Sequence, residues 1–441
     1  MSSHTPAYNL KAVIRETGLK PDTLRAWERR YGLPQPQRTA GGHRLYSQRD
    51  IDMLKWLIAR QHEGLSISRA VDMWQALELE GKDPLKMTEQ SLLQVALPSP
   101  LLASGDVVAE LRQAWLSACL AYDERSAEQA LAQAFAIYPP ETVCVEVLQK
   151  GLAYMGEGWY QDEVTVQQEH FALALAMRRL EALVATTPAP TRSGRILAGC
   201  PPDEEHTFSL LLLTLLLRRR GWEVLYLGAN VPLSQLESTL TTARPQLVVA
   251  SAQWLPAAAT LQEMARVLDR ERVPLAYGGM IFNAVPKLRS HISGHFLGER
   301  LDMAPQVVQQ ALAAPWPLPK VETVSETYRQ ALAHFRERLP SIDAQVWDAM
   351  TSEDISRTHL SIAGIDIGRN IAAALGLGDI ELMSSDVKWV KGFLISHHLP
   401  TYPLDRYLQA YHSAAQALLD ERGQLVVSWL AQVSHVEVQV H

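Results

Sequence analysis

Between residues 195 and 279 short apolar runs alternate with stretches of helical periodicity, and that alternation constrains the fold more than any other feature of the chain. RILAGC is followed by FSLLLLTLLLRRRG, WEVLYLG by SQLESTLTTA, QLVVASA by ATLQEMARVLDRE, and the series closes on PLAYGG. Strands separated by helices cannot pair as hairpins. They require right-handed crossovers and a parallel, doubly wound sheet, an α/β flavodoxin-like (Rossmann-like) layer structure. Two segments bound the pattern, TTPAPTRSG at 186–194 and APWPLPK at 314–320. The first reads as a linker, and the second is too rich in proline for a helix or a central strand.

The same breakers divide the rest of the chain. Residues 81–105, with Pro84, Pro98 and Pro100, read as a connector. Residues 106–185 carry helical periodicity and almost no strand signal, which predicts a four-helix bundle with helices near 106–121, 124–136, 141–157 and 164–185. At the end of the third of them the GEG before Trp159 reads as a helix break. Residues 321–441 are again helical in pattern, as in ETYRQALAHFRERL and LDRYLQAYHSAAQALLDERGQLVVSWL. The expectation is a multidomain chain: 1–80, 81–188, 192–316 and an all-α 321–441. At 47% hydrophobic and 20% charged residues it can bury several cores. The apolar run Phe208–Leu217 is too short to span a bilayer, and the N-terminus lacks the apolar core of a signal peptide. Cys119, Cys144 and Cys200 show no metal or redox spacing and read as reduced thiols of a cytoplasmic protein.

Charge is distributed unevenly. Residues 1–60 hold eleven Lys/Arg and five Asp/Glu, a net +6, although the whole chain carries −7. A compact basic head on an acidic body suggests nucleic-acid binding at that end. In NLKAVIRETGLKPDTLRAWERRYGLP, Gly18 suits a helix C-cap and Pro21 the first turn of the next helix. Leu24, Trp27 and Tyr31 share an inward face, leaving Thr23, Arg25, Arg29 and Arg30 to face outward. Two short helices joined by a tight turn, the second basic, form a helix-turn-helix. Gly41-Gly42 can then turn a hairpin carrying Arg38, His43, Arg44 and Tyr46, a wing suited to phosphates. TLRAWERRYGLP with RTAGGHRLYSQRDI, over residues 8–75, resembles the MerR family. The resemblance implies dimeric binding to double-stranded promoter DNA, with helix Pro21–Arg30 in the major groove and Arg44 and Tyr46 on the backbone. It also implies a dimerising helix after the wing, near Ser66–Glu80.

In a doubly wound sheet ligands bind outside the carboxyl ends of the strands. The loop after the first strand, CPPDEEHTFS, places His206 there beside Asp203, Glu204 and Glu205. Such a histidine can be a base, a metal ligand or a satisfied structural residue, and the acids can be a solvated capping cluster. Glu204 has the spacing to fix the imidazole tautomer. Glu204-Glu205-His206-Thr207-Phe208-Ser209, Ser251 after LVVA and Gly278-Gly279 after LAY resemble the cobalamin-binding module of methionine synthase and its relatives, with Ser209 standing where that module has glycine. The resemblance implies His206 as lower axial ligand to cobalt and a slot for the nucleotide tail beside Ser251, Gly278 and Gly279.

Trp159, followed nine residues later by Glu169-His170 in WYQDEVTVQQEH, resembles the signature of light-responsive MerR-type regulators, the CarH/LitR group. That implies adenosylcobalamin between bundle and sheet, Trp159 over the upper face of the corrin and Glu169 and His170 beside the adenosyl group. It further implies a non-enzymatic photoreceptor repressor, a homo-oligomer (dimer or tetramer) in the dark that light dismantles. Some members have a histidine directly after the tryptophan, where this chain has Tyr160. A corrinoid methyl-transfer carrier and a MerR regulator of another ligand are the alternatives. The C-terminal segment reads as an interaction domain. By analogy it could also hold a bilin, noncovalently because 321–441 contain no cysteine, among residues such as Tyr407, Tyr411 and His412.

Overall fold

The computed structural model describes most of residues 8–62, isolated positions within 67–86, and residues 105–313, 321–352 and 366–434. The chain forms two compact units, divided at Val107–Val108.

In the first unit β1 (Tyr8–Asn9) leads into helix Leu10–Thr17, whose first turn is capped by the Asn9 side chain and which closes at Gly18. Helix Pro21–Tyr31 follows. The wing strands β2 (Gln37–Arg38) and β3 (Arg44–Tyr46) pair antiparallel, with β1 on the other edge of β3. The core gathers Val13, Leu24, Trp27, Tyr46, Ile51, Leu54 and Trp74, so the inward face expected of Leu24 and Trp27 is the buried one. The connector 87–104, the wing turn 39–43 and most of 66–80 lie outside the described residues.

The second unit begins with the bundle: helices Gly105–Leu120, Glu124–Ile137, a stretch from Pro140 to Tyr160 with a π-helical segment at Cys144–Gln149, and Val166–Ala185. Asp123 caps the second helix and a Thr165/Gln168 capping box starts the last. The GEG segment does not break its helix, which runs on through Trp159 to Tyr160. Glycine in a helix interior costs about 1 kcal/mol, and here Met155 and Gly158 are buried all the same.

Four expected strands and one short addition form a parallel sheet: β4 (Arg195–Gly199), β5 (Glu223–Gly228), β6 (Leu247–Ser251), β7 (Leu275–Gly278) and β8 (His295–Phe296), in the order β5-β4-β6-β7-β8. This is the flavodoxin-like order, with its reversal between β4 and β6. Alternate side chains serve different layers. Ile196, Ala198, Val224, Val249 and Ala276 pack with helices Phe208–Arg218 and Ala304–Ala313. Leu197, Val248, Ala250, Leu275 and Tyr277 pack with helix Leu255–Glu271 on the other face.

The C-terminal helices, Glu326–Ser352, Ile367–Leu377, Met383–Ser396, Tyr402–Leu418 and Gln424–Ser434, share the core on that second face. Residues 326–352 and 366–434 are thus joined to the α/β layers by one continuous apolar core. Tyr407 and Tyr411, expected to line a pigment pocket, are only 4% and 1% exposed. They meet edge to face at 5.4 Å, and the Tyr411 hydroxyl donates to Asp343. They are packing residues that a pigment would have to displace, whereas His412 is half-buried on the same helix.

Candidate cobalamin site and DNA-binding head

The crevice outside the carboxyl ends of β4 and β6 is where the strand order reverses. The loop Cys200–Thr207 enters it and is tied down from both sides. From the segment after β5, the Asn230 amide donates to the Glu204 carbonyl at 2.9 Å, its side-chain oxygen accepts from the Asp203 amide, and its side-chain nitrogen donates to Glu205. From the segment after β6, the Trp254 indole donates to the Asp203 carbonyl at 2.9 Å.

Glu204 is wholly buried and fully engaged. Its carboxylate accepts from the backbone amides of His206 (2.8 Å) and Gln253 (2.6 Å) and lies 2.7 Å from His206 Nδ1. A carboxylate can only accept, so Nδ1 carries a hydrogen, and in the neutral imidazole Nε2 keeps its lone pair. The His206 side chain is 69% exposed, which leaves Nε2 open to a ligand in the crevice. The hydrogen bond to Glu204 pushes the imidazole above its ordinary range, against the opposing effect of burial, and Glu169 of the bundle adds to that push. Glu169 lies in the first turn of the last bundle helix. His170 beside it is mostly in solvent, 3.8 Å from Glu169.

Ser251 and Gly278 are neighbours in register on β6 and β7. Ser251 is buried, its hydroxyl 3.7 Å from Cys200 Sγ. Gly279 has φ +125°, and a Cβ there would sit 1.9 Å from the Ala252 carbonyl oxygen, so only glycine fits. Leu227 and Met280, at the ends of β5 and β7, are 43% and 65% exposed, unusual for large apolar side chains. Neither they nor Gln253 stand out in the sequence, where an apolar residue at a strand end looks like core.

Cobalamin is the group that the sequence resemblance implies, and the donor set fits it. No three His, Cys, Asp or Glu side chains among the described residues cluster to hold a bare metal ion. One imidazole with a free Nε2, oriented by a buried carboxylate, suits a metal that arrives in its own equatorial ring.

Trp159 and Tyr160, at the end of the third bundle helix, meet a partner that the sequence did not indicate. The Trp159 ring lies 5.0 Å from Phe393, 6.2 Å from Trp389 and 6.4 Å from His397. Tyr160 lies 5.3 Å from Trp389. The space beside Trp159 is thus shared with helix Met383–Ser396 and does not belong to bundle and sheet alone.

In the head, Arg25 is exposed and Thr23 half-buried. Tyr46 corrects an expectation. It is fully buried and its hydroxyl donates to Glu28 at 2.6 Å, so it does not reach a phosphate. Arg44 Nε donates to the other Glu28 oxygen at 3.0 Å and stays partly exposed. The wing is thereby fastened to helix Pro21–Tyr31. His43 and the side chains of Arg29, Arg30 and Arg38 lie outside the described residues.

Three family models match the chain: a MerR HTH family regulatory protein at residues 8–77, and B12 binding domains at 111–184 and 194–308. The HTH-type transcriptional repressor CarH of Myxococcus xanthus is 32% identical over 291 residues, 66% of this chain and 92% of that protein. The repressor CarA of the same organism is 31% identical, covering 59% of this chain and 80% of its own length. Among solved structures, the Methanosarcina barkeri monomethylamine corrinoid protein is 19% identical over 47% of this chain and 98% of that one, with a TM-score of 0.39. The head and the α/β layers define a helix-turn-helix transcriptional regulator with a corrinoid-binding body. The chain belongs to the CarH/CarA family of MerR-type transcriptional regulators with B12-binding domains.

Proposed function

We propose that the chain is a repressor that binds adenosylcobalamin and lets go of promoter DNA when light cleaves the cofactor. The observation that carries this reading is the Glu204–His206 pair at the sheet's switch point, in a chain headed by a winged helix-turn-helix. Adenosylcobalamin, when bound, supplies a light-sensitive cobalt–carbon bond. In this reading His206 Nε2 would hold the cobalt and Glu204 would hold the imidazole tautomer. Ser251, Gly278 and Gly279 border the tail slot, and Trp159, Glu169 and His170 stand on the upper side. Thr23, Arg25, Arg29, Arg30, Arg38, His43 and Arg44 serve the DNA face, with Tyr46 positioning Arg44.

The effector logic is thermodynamic. The adenosyl form has to favour the assembled, DNA-binding dimer or tetramer by a coupling free energy of about 1–3 kcal/mol, typical of allosteric sites. The similarity to CarH and CarA, both transcriptional repressors, supports repression over activation. His206→Ala tests the site. The wild type should retain cobalamin with an imidazole-ligated absorbance spectrum, and the variant should lose that spectrum and hold the cofactor at least tenfold more weakly. An unchanged spectrum in the variant removes His206 from the cobalt.

A further inference from the structure

The C-terminal helices contact both the His206 loop and the end of the bundle's third helix. On one side Arg369 pairs with Asp203 of the His206 loop at 2.7 Å and stacks over Trp254 at 4.4 Å. On the other side helix Met383–Ser396 takes hold of the bundle's Trp159-Tyr160. His397 Nε2 lies 2.7 Å from the Trp159 carbonyl oxygen, and its Nδ1 lies 3.1 Å from the Asp162 carboxylate. Phe393 and Trp389 line the Trp159 ring, and they stack on each other at 5.6 Å with only 14° between planes. Gly392 is the fitting piece: a Cβ there would stand 2.1 Å from the Tyr160 hydroxyl. The Tyr160 ring is therefore seated against the C-terminal helix.

An indole at a helix end ordinarily has several side-chain rotamers open to it. Here its backbone is pinned and its ring is faced on one side by two aromatic rings, while Trp389 remains 43% exposed beside it. CarH, of which the matched 291 residues make up 92%, is shorter than this chain by more than a hundred residues. The extra helices thus bring contacts that a chain of that length has less sequence to supply.

We infer that Trp389, Phe393 and His397 are positioning residues that set which upper group the cobalamin site accepts, because they fix the place of Trp159. The inference rests on the cobalamin reading above. A fixed ring defines a gap of fixed height. A bulky adenosyl group then fills a preformed space, whereas a small hydroxo or methyl ligand leaves the ring's contacts unused. Trp159 discriminates because it cannot move, and it cannot move because His397 and Gly392 let the C-terminal helix close on it.

The test is a titration of the full-length protein with adenosylcobalamin and with hydroxocobalamin, in the dark, read by absorbance and by tryptophan fluorescence. His397→Ala should lower the ratio of the two affinities at least fivefold, and His397→Gln, which can still donate to the Trp159 carbonyl, should restore much of it. Gly392→Ala, which intrudes on Tyr160, should lower the ratio without touching His397, and circular dichroism reports whether each variant is folded. An unchanged ratio in folded His397→Ala overturns the inference while leaving the cobalamin reading intact. Equal loss for both cobalamins overturns it too, in favour of a purely structural role. A wild type that binds neither cobalamin overturns the underlying reading, and this one with it.

Discussion

The site turns on single residues whose neighbours decide their chemistry. Glu204 is two positions from His206, so the pair could be read from spacing, but its bond from the Gln253 amide comes from the segment after β6, 49 residues away. Tyr46 shows the opposite outcome. Its amphipathic side chain suits a phosphate contact and a core position equally well, and Glu28 decides for the core. Tyr46→Phe should therefore cost about 1.5–3 kcal/mol of head stability, the range for a hydrogen bond to a charged group, without changing the salt dependence of DNA binding. Arg44→Ala should instead reduce the slope of log affinity against log salt by about 1; equal slopes in wild type and this variant would remove Arg44 from the phosphates. The three thiols are pushed up to about 12 by burial, with Ser251 opposing this at Cys200. A thiol reagent at pH 8 should label none of them in the native protein and all three in denaturant. Between pH 9 and 12 the unfolded chain can ionise these thiols and the native chain cannot, so stability should fall as pH rises through that window. A native protein labelled at pH 8 would contradict the buried placement.

At the scale of elements, the alternation of strand and helix made β4 to β7 legible, because parallel strands buried on both faces read as short apolar runs between helical ones. β8, only two residues long, is too short to leave a pattern. The GEG segment was misread as a break for a related reason: glycine signals freedom in a sequence, yet Gly158 serves close packing. A Cβ at Gly158 would stand 2.5 Å from Val164 Cγ2, where the chain turns back after the helix. Gly158→Ala should destabilise the protein by about 1–3 kcal/mol through overpacking, seen as a lower denaturant midpoint with an unchanged slope. No loss would mean that the turn at 161–164 yields easily. The grip of helix Met383–Ser396 on Trp159-Tyr160 was illegible, because it joins residues more than 200 positions apart, and helical periodicity identifies a buried face without naming what buries it.

For the whole molecule, the chain divides into two compact units at Val107–Val108, just past the proline-bearing connector at 81–105. The proline-rich breaks further along the chain conceal that the C-terminal helices share a core with the α/β layers and pair with the His206 loop. No helix among the described residues is long and apolar enough to cross a membrane. The central claim is that the adenosyl form of the cofactor assembles the protein and light disassembles it. The direct measurement is size-exclusion chromatography of the full-length protein with adenosylcobalamin, monitored by absorbance, in the dark and after green light. The account predicts a dark oligomer carrying cobalamin that shifts to a smaller species on illumination. Cobalamin retained through both runs with no change in size would contradict it.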